Sequence, residues 1–333
     1  MVTIIDVARA AGVAPSTVSY VLSGKRSISP ETRRQVEQSI RKLGYHPHAG
    51  ARALASSRTN VLALVIPLRT DLNVSVVMQF VASVTTAART HDHDVLLLTK
   101  DEGPDGLKRV AGSAIADALI VMDIESADPR IPMLLALDRP VVLIGTPDHP
   151  TGLTCVDLDF AAAGAASVRH LAELGHSSIA LVGPSPAVYQ RGTSFAERFL
   201  HGFTETAKAL GVRAKAQPCG HSYEDTLSCL DTVLDGDVTG LVVQNEAVLG
   251  AVLSDLRHRG LRVPEDVSVV AVCPETMAES QALPLTTVAI PAEEISVLAV
   301  EMTIRQLGGE TTAETRLLSP RLTQRRSTAP PSR

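Results

Sequence analysis

Between Pro15 and Leu22 the chain sets out Ser16, Thr17, Ser19 and Tyr20, four hydroxyls within five residues and no charge among them. Such groups donate or accept hydrogen bonds as the partner requires, which suits contact with base edges and phosphates. Clusters that could carry catalysis fail on their surroundings. Gly183-Pro184-Ser185-Pro186-Ala187 approaches a Gly-x-Ser-x-Gly elbow, but the last glycine is missing and prolines flank the serine where a sharp turn is needed. His91-Asp92-His93-Asp94 offers two kinds of metal ligand with no partners identifiable elsewhere, and reads as a solvated turn. No Walker loop or Gly-x-Gly-x-x-Gly is present. No enzyme, cofactor or metal is therefore expected.

The elements that position the hydroxyl set are short helices. Ile4, Ile5, Val7, Ala8 and Ala11 recur at helical spacing behind Thr3, a candidate N-cap, and Gly12 follows as a stop. Pro15 suits the first turn of a second helix, where its missing N–H has no partner to lose. Two helices hinged at one glycine form a helix-turn-helix, whose second helix is narrow enough for a DNA major groove. Ser29-Pro30-Glu31 opens a third helix with Val36, Ile40 and Leu43 on one stripe, ended by Gly44. Beyond Pro47, residues 49–56 form a segment too short to hold a helix alone, since isolated helices below about 12–15 residues are marginal in water.

Charge separates this front end from the rest. Residues 1–60 hold nine lysines and arginines against three acids, an excess of six positive charges. The whole chain of 333 residues carries −5, so the remainder carries −11. Positive potential concentrated in a small module fits phosphate binding, and an acidic body stays off the DNA. No run of about 18 apolar residues exists to cross a membrane. The start lacks the regions of a signal peptide, and the four cysteines, Cys155, Cys219, Cys229 and Cys273, form no Cys-x-x-Cys pair. Both features point to the cytoplasm.

From Val61 aliphatic runs alternate with amphipathic stretches. The runs are Val61–Ile66, Val95–Leu98, Ala118–Met122, Val141–Ile144, Ile179–Val182, Gly240–Val243 and Val267–Val272. Among the stretches between them, Phe160–Leu174, Ser194–Leu210 and Ala247–Arg259 each end at a glycine. This rhythm predicts α/β architecture with parallel sheets covered on both faces, in two similar lobes with a cleft at the strand ends. The polar, proline-rich end, Ser327–Arg333, is expected to fray.

Residues 3–59 resemble the DNA-binding headpiece and hinge of the lac/galactose repressor family. The likeness rests on Thr3-Ile4-Ile5-Asp6-Val7-Ala8, Ala11-Gly12-Val13, Thr17-Val18-Ser19, Thr32-Arg33, Leu43-Gly44-Tyr45-His46-Pro47 and Ala51-Arg52-Ala53-Leu54. The remaining chain resembles that family's effector-binding core. The resemblance implies a headpiece over 1–47, a hinge over 48–60 and a two-lobed, periplasmic-binding-protein-like core over 61–326. Lobe 1 is then about 61–160 plus 291–320, and lobe 2 about 161–290 plus 320–326. It implies base reading by Pro15, Ser16 and Tyr20, and phosphate contacts from Thr17, Ser19, Thr32 and Arg33. Thr3, His48 and Ala51 join the DNA-contacting set. Leu54 would wedge into the minor groove and kink the duplex. Ala14 departs from the pattern, since the family usually places a capping serine there.

The effector positions match less well. Asp159 matches, and could bind a ligand or cap the helix after it. The family's arginine is replaced by Phe199, with Arg198 one residue earlier. Asn245 and Glu246 match loosely, and Cys273 replaces an aspartate. Phe199 with Tyr189 or Tyr223 could stack on a sugar ring, and Asn73 and Asp123 lie at strand ends of the first lobe. A sugar, a less polar ligand and an empty cleft all stay open. The expectation is a cytoplasmic homodimer, a sequence-specific repressor of a pseudo-palindromic double-stranded operator, controlled by a small molecule with carbohydrates the leading candidates. A corepressor-dependent or ligandless regulator, or a solute-binding protein, is the alternative.

Overall fold

The computed structural model describes residues 2–23, 26–45, 58–69, 72–100, 103–112, 115–234 and 236–332. The first helix, α1 (Ile4–Ala11), is closed by a capping box. Thr3 N and Oγ1 donate to Asp6 Oδ2 at 2.9 and 2.7 Å. Helix α2 (Pro15–Ser23) follows, and α3 (Pro30–Leu43) is capped by Ser29, whose hydroxyl accepts from Thr32 N at 3.2 Å. Gly12 and Gly44 end α1 and α3 with φ of 65° and 59°, a left-handed turn that a side chain would strain. Val7, Ala8, Ala11, Val18, Val21 and Val36 close a small core of their own.

The body begins with β1 (Val61–Val65), α4 (Val74–Thr90), β2 (Asp94–Leu98), α5 (Gly103–Gly112), β3 (Ala118–Val121), α6 (Ile131–Leu135), β4 (Val141–Ile144) and β5 (Thr154–Leu158). The chain then crosses to the second lobe. There it runs through α7 (Phe160–Glu173), β6 (Ser178–Gly183), α8 (Pro186–Gln190), α9 (Ser194–Leu210), β7 (Arg213–Pro218), α10 (Tyr223–Val233) and β8 (Gly240–Val243). A 3-10 turn leads to α11 (Leu249–His258), β9 (Ser268–Cys273), α12 (Glu275–Glu279) and β10 (Thr286–Ala289). Helix α13 (Ala292–Leu307) and β11 (Thr315–Leu318) return to the first lobe, and β12 (Leu322–Thr323) closes the second.

Each lobe holds one six-stranded sheet, in the orders β11-β5-β4-β3-β1-β2 and β12-β10-β9-β8-β6-β7. All pairings are parallel except β12 with β10. The aliphatic strands β3, β4, β8 and β9 are buried along their whole length, as sheets covered by helices on both faces require. In each sheet the strand order reverses once, between β1 and β3 and between β6 and β8. Ligands of such sheets bind at the carboxyl ends of the strands flanking that reversal.

Two features hold the second lobe to itself. Helices α7 and α9 approach at Gly164 and Gly202. A Cβ on Gly202 would stand 2.7 Å from the Ala161 carbonyl carbon, and one on Gly164 would stand 2.8 Å from Phe203 N. The C-terminal segment, expected to fray, is instead pinned through residue 332. Val269 N donates to Ser327 O at 2.7 Å and Ser327 Oγ to Val269 O at 2.6 Å. His176 Nε2 lies 3.0 Å from Ala329 O, and Ser332 Oγ donates to Glu265 O at 2.8 Å. The Ser327 hydroxyl satisfies backbone groups of Val269 and Thr286, and the Thr328 hydroxyl pairs with the side chains of His170 and Thr286, so polarity here serves burial.

Candidate nucleic-acid interface and inter-lobe cleft

On α2, Val18 and Val21 turn into the headpiece core, which leaves Pro15 and Ser16 exposed and Thr17, Ser19 and Tyr20 half-buried. Ser16, Ser19 and Tyr20 share the outer face at helical spacing. Arg26, beyond the helix, holds its guanidinium 5.6 Å from the Tyr20 ring centre. That cation joins the hydroxyl set, and neighbouring-residue reading of α2 alone did not single it out. Thr3 is exposed at the cap of α1, and Thr32 Oγ1 accepts from Ser29 Oγ at 2.8 Å beside half-buried Arg33. Ala14 supplies only its carbonyl, which accepts from Thr17 N at 2.9 Å, so α2 lacks a side-chain cap. His48, Ala51 and Leu54 lie outside the described residues.

Where the chain enters the first lobe it is anchored twice. The Asp117 carboxylate accepts from Thr59 N, Thr59 Oγ1 and Asn60 N at 2.7, 2.8 and 2.8 Å. Arg58 donates to Leu307 O at 3.1 Å. Three donors on one carboxylate, one of them a hydroxyl, fix the direction in which the preceding segment leaves the core.

Between the lobes lies a cavity of about 160 Å³ at the carboxyl ends of β1, β3, β8 and β9. One water needs about 10–15 Å³ by the same measure, so the space fits a small molecule. Twelve of the eighteen residues lining it carry apolar side chains, Met122 included, among them Phe80, Phe160 and Phe195. The rings of Phe160 and Phe195 are 5.4 Å apart, at the starts of α7 and α9. Arg198, one turn further along α9, ion-pairs with Asp157 and sets its guanidinium 5.7 Å from the Phe160 ring centre. Burial pushes the Asp157 carboxyl up to about 6 against the pull of that arginine.

Asp123 ion-pairs with Arg69 and stands 4.0 Å from Arg191 of the second lobe. Its φ is 56°, unusual for a side chain, and its carbonyl accepts from Arg130 at 2.7 Å. Asp128 Oδ2 accepts in turn from Arg130 at 2.6 Å, so this buried pair holds the strained strand end in place. Next to it the lobes touch through backbone: Ser126 N donates to Gly192 O at 2.7 Å and Ser194 N to Ile124 O at 3.0 Å. On the facing wall Gln244 is only 3% exposed. Neither end of its amide has a hydrogen-bond partner among the described residues. Among the described residues no cation pairs with Glu246, and burial raises its carboxyl to about 7.

A model of bacterial regulatory proteins of the lacI family matches residues 3–48, and a periplasmic binding protein-like domain matches residues 168–328. The HTH-type transcriptional regulator CelR of Thermobifida fusca is 30% identical over 330 residues, covering 94% of each chain. The chain belongs to the lacI family. It is a DNA-binding transcriptional regulator. Catabolite control protein A of Priestia megaterium is 26% identical over 317 residues, covering 93% of this chain and 94% of the relative. A solved CelR–cellobiose complex is 28% identical with a TM-score of 0.68, covering 98% of this chain and all of that one. The lac repressor dimer bound to operator and the anti-inducer ONPF shares the fold at a TM-score of 0.84 and 23% identity, with 98% and 99% covered.

Of the expected effector residues, the cleft gathers Glu246 from the family likeness and the strand-end residues Asn73 and Asp123. Arg198 borders it through Asp157. The others are placed elsewhere. Asp159 caps α7, accepting from Ala162 N at 2.9 Å, and Asp157, two residues earlier, faces the cleft instead. Phe199 is wholly buried in the core behind Gly164, because one residue along a helix turns a side chain by about 100°. Cys273 is equally buried, in the layer of Ala180, Val182 and Leu241 on the far face of its sheet. Tyr223 is exposed at the start of α10, and half-buried Tyr189 packs its hydroxyl end against Gly183. Asn245 Nδ2 donates to Cys219 O at 2.7 Å and so braces a loop. Missed altogether were Phe80, Asp157, Phe160, Phe195 and Gln244. Gln244 stands directly after β8, so strand-end position alone was a usable signal.

Proposed function

We propose that the protein is a homodimeric repressor that binds a pseudo-palindromic operator and releases or grips it according to a small molecule held between the lobes. The observation that carries this is the pairing of an exposed hydroxyl-bearing α2 in a basic headpiece with a cleft built at two strand-order reversals. Pro15, Ser16 and Tyr20 read base edges, and Thr3, Thr17, Ser19, Thr32 and Arg33 fix register on phosphates. His48 and Ala51 extend the contacts along the hinge, and Leu54 wedges the minor groove. Residues 1–47, 48–60 and 61–326 act as headpiece, hinge and core. Half-sites one helical turn apart, about 34–36 Å, follow from two-fold pairing. The protein works in the cytoplasm and performs no catalysis; among the described residues no helix is long and apolar enough to cross a membrane.

A ligand in the cleft would bias the lobe arrangement, and through Asp117 and Arg58 the direction in which each hinge leaves the core. The CelR–cellobiose complex among its neighbours makes a carbohydrate one candidate class for that small molecule. The test is selection of genomic fragments by the intact protein, then gel shifts on the recovered sequence. The protein lacking residues 1–60 should lose binding, and affinity should fall steeply with salt because phosphate contacts release counterions. Salt-independent binding, or full binding without residues 1–60, refutes the proposal.

A further inference from the structure

Among the described residues, Asn73, Asp123 and Asp157 of the cleft each already hold a protein partner, whereas Gln244 holds none and Glu246 has no cation. Asn73 Oδ1 caps α4 by accepting from Ser75 N at 3.1 Å. Asp123 is held by Arg69, and Asp157 by Arg198. What remains for a ligand is the unpartnered Gln244 amide and the Glu246 carboxylate, in a cavity otherwise walled by apolar side chains. A hexose would bring five hydroxyls to a cavity lined mostly by apolar side chains, and buried hydroxyls without partners weaken binding. Aromatic rings are scarce in this chain, which has five phenylalanines and no tryptophan, yet three of the five line this one cavity. One of those rings, Phe160, already lies under a cation in Arg198.

We propose that the cleft takes a small organic amine, its protonated nitrogen at Glu246, a hydrogen-bonding group at Gln244 and an aromatic or alicyclic body against Phe80, Phe160 and Phe195. A half-buried carboxylate in an apolar cavity, with no cation among the described residues, favours the arrival of one, and aromatic faces attract the same charge. Aliphatic neighbours such as Ile66, Val76 and Ile144 accept the ring. The amide of Gln244 offers one donor side and one acceptor side, which fixes the orientation of the body. This assignment rests on the reading of the cleft as the effector site and names the chemical class that it recognises.

The test uses the full-length protein with 2-phenylethylamine, cyclohexylmethylamine, the neutral isostere 2-phenylethanol, and cellobiose, followed by thermal shift and calorimetry. The amines should bind at least about tenfold tighter than the alcohol, the margin expected of a charge-assisted contact. Glu246→Gln should bring amine affinity down to that of the alcohol. Equal binding of amine and alcohol overturns the proposal without any variant, as does an amine affinity unmoved by Glu246→Gln. Binding of cellobiose alone overturns it while leaving the cleft an effector site, and binding of no probe overturns it too. Amine binding that leaves operator affinity unchanged supports the ligand class and refutes the effector role.

Discussion

The crossing of α7 and α9 lets one methyl group test the packing of the second lobe. In Gly202→Ala the new Cβ would lie 2.7 Å from the Ala161 carbonyl carbon and 2.9 Å from its Cα, closer still to the oxygen. Real Cβ atoms stay beyond 3.0 Å, and the three nearest atoms here all belong to the Ala161 backbone, so no side chain can rotate away. The helices must part by about 1 Å, and overpacking of this kind costs about 3 kcal/mol at the upper end of its usual range. Alanine regains about 1 kcal/mol of helix propensity, leaving a net loss of about 2 kcal/mol. For a body of this size that lowers Tm by about 4–8 °C. Gly250→Ala on α11 is the matched control, since nothing lies within 4 Å of its Cβ position, and it should raise stability by up to about 1 kcal/mol. Because α9 also carries Phe195 and Arg198, parting the helices should weaken ligand binding in the cleft as well. Urea and thermal unfolding read the stabilities. A Gly202→Ala protein as stable as the parent, or shifts of one sign in both variants, would refute the close-approach argument.

Three further outcomes follow from the same geometry. Asp117→Ala strips three hydrogen bonds from Thr59 and Asn60 and should cost about 1–3 kcal/mol locally; hydrogen exchange at those amides should rise while operator affinity falls, and unchanged exchange counts against the anchor. The Glu246 carboxyl is raised from 4.5 to about 7, so the folded state holds its proton where the unfolded chain has lost it. Stability from this group is full below pH 4.5 and lost as pH rises through about 7, with Asp157, raised to about 6 beside Arg198, adding a loss of the same sign. Glu246→Gln should flatten the decline between those limits, and an unaltered pH profile in urea unfolding contradicts it. Arg33→Ala should weaken binding to all DNA alike and reduce the salt slope by about one, whereas Tyr20→Ala should relax discrimination between operators at an unchanged slope.

The helical front end was legible because its signals are local. Thr3, Gly12, Pro15, Ser29 and Gly44 act on backbone within four residues of themselves, and each stands at the helix end that its chemistry favours. The aliphatic strands β3, β4, β8 and β9 were equally plain, since a run buried on both faces has no polar residue to obscure it. Strand β7 was not: Arg213, Lys215 and Gln217 blunt an exposed edge, and that composition resembles a loop. Strand β5 carries Asp157, a charge tolerated in a buried strand only because Arg198 reaches it from forty-one residues away in sequence.

The cleft shows the same division more sharply. Sequence alone determined that two α/β lobes would meet at strand ends behind a basic helix-turn-helix, because periodicity, caps and charge are properties of neighbouring residues. Which side chains face the gap was decided only by the tertiary structure. Phe195 and Phe199 lie four residues apart on nearly the same face of α9, so depth along the helix, not rotation, leaves Phe195 at the cleft and Phe199 in the core, while strand alternation turns Cys273 to the far face of its sheet. Partners distant in the chain then settle which polar groups are spent on structure, as Cys219 O does for Asn245 and Arg198 for Asp157, while the Gln244 amide has none among the described residues.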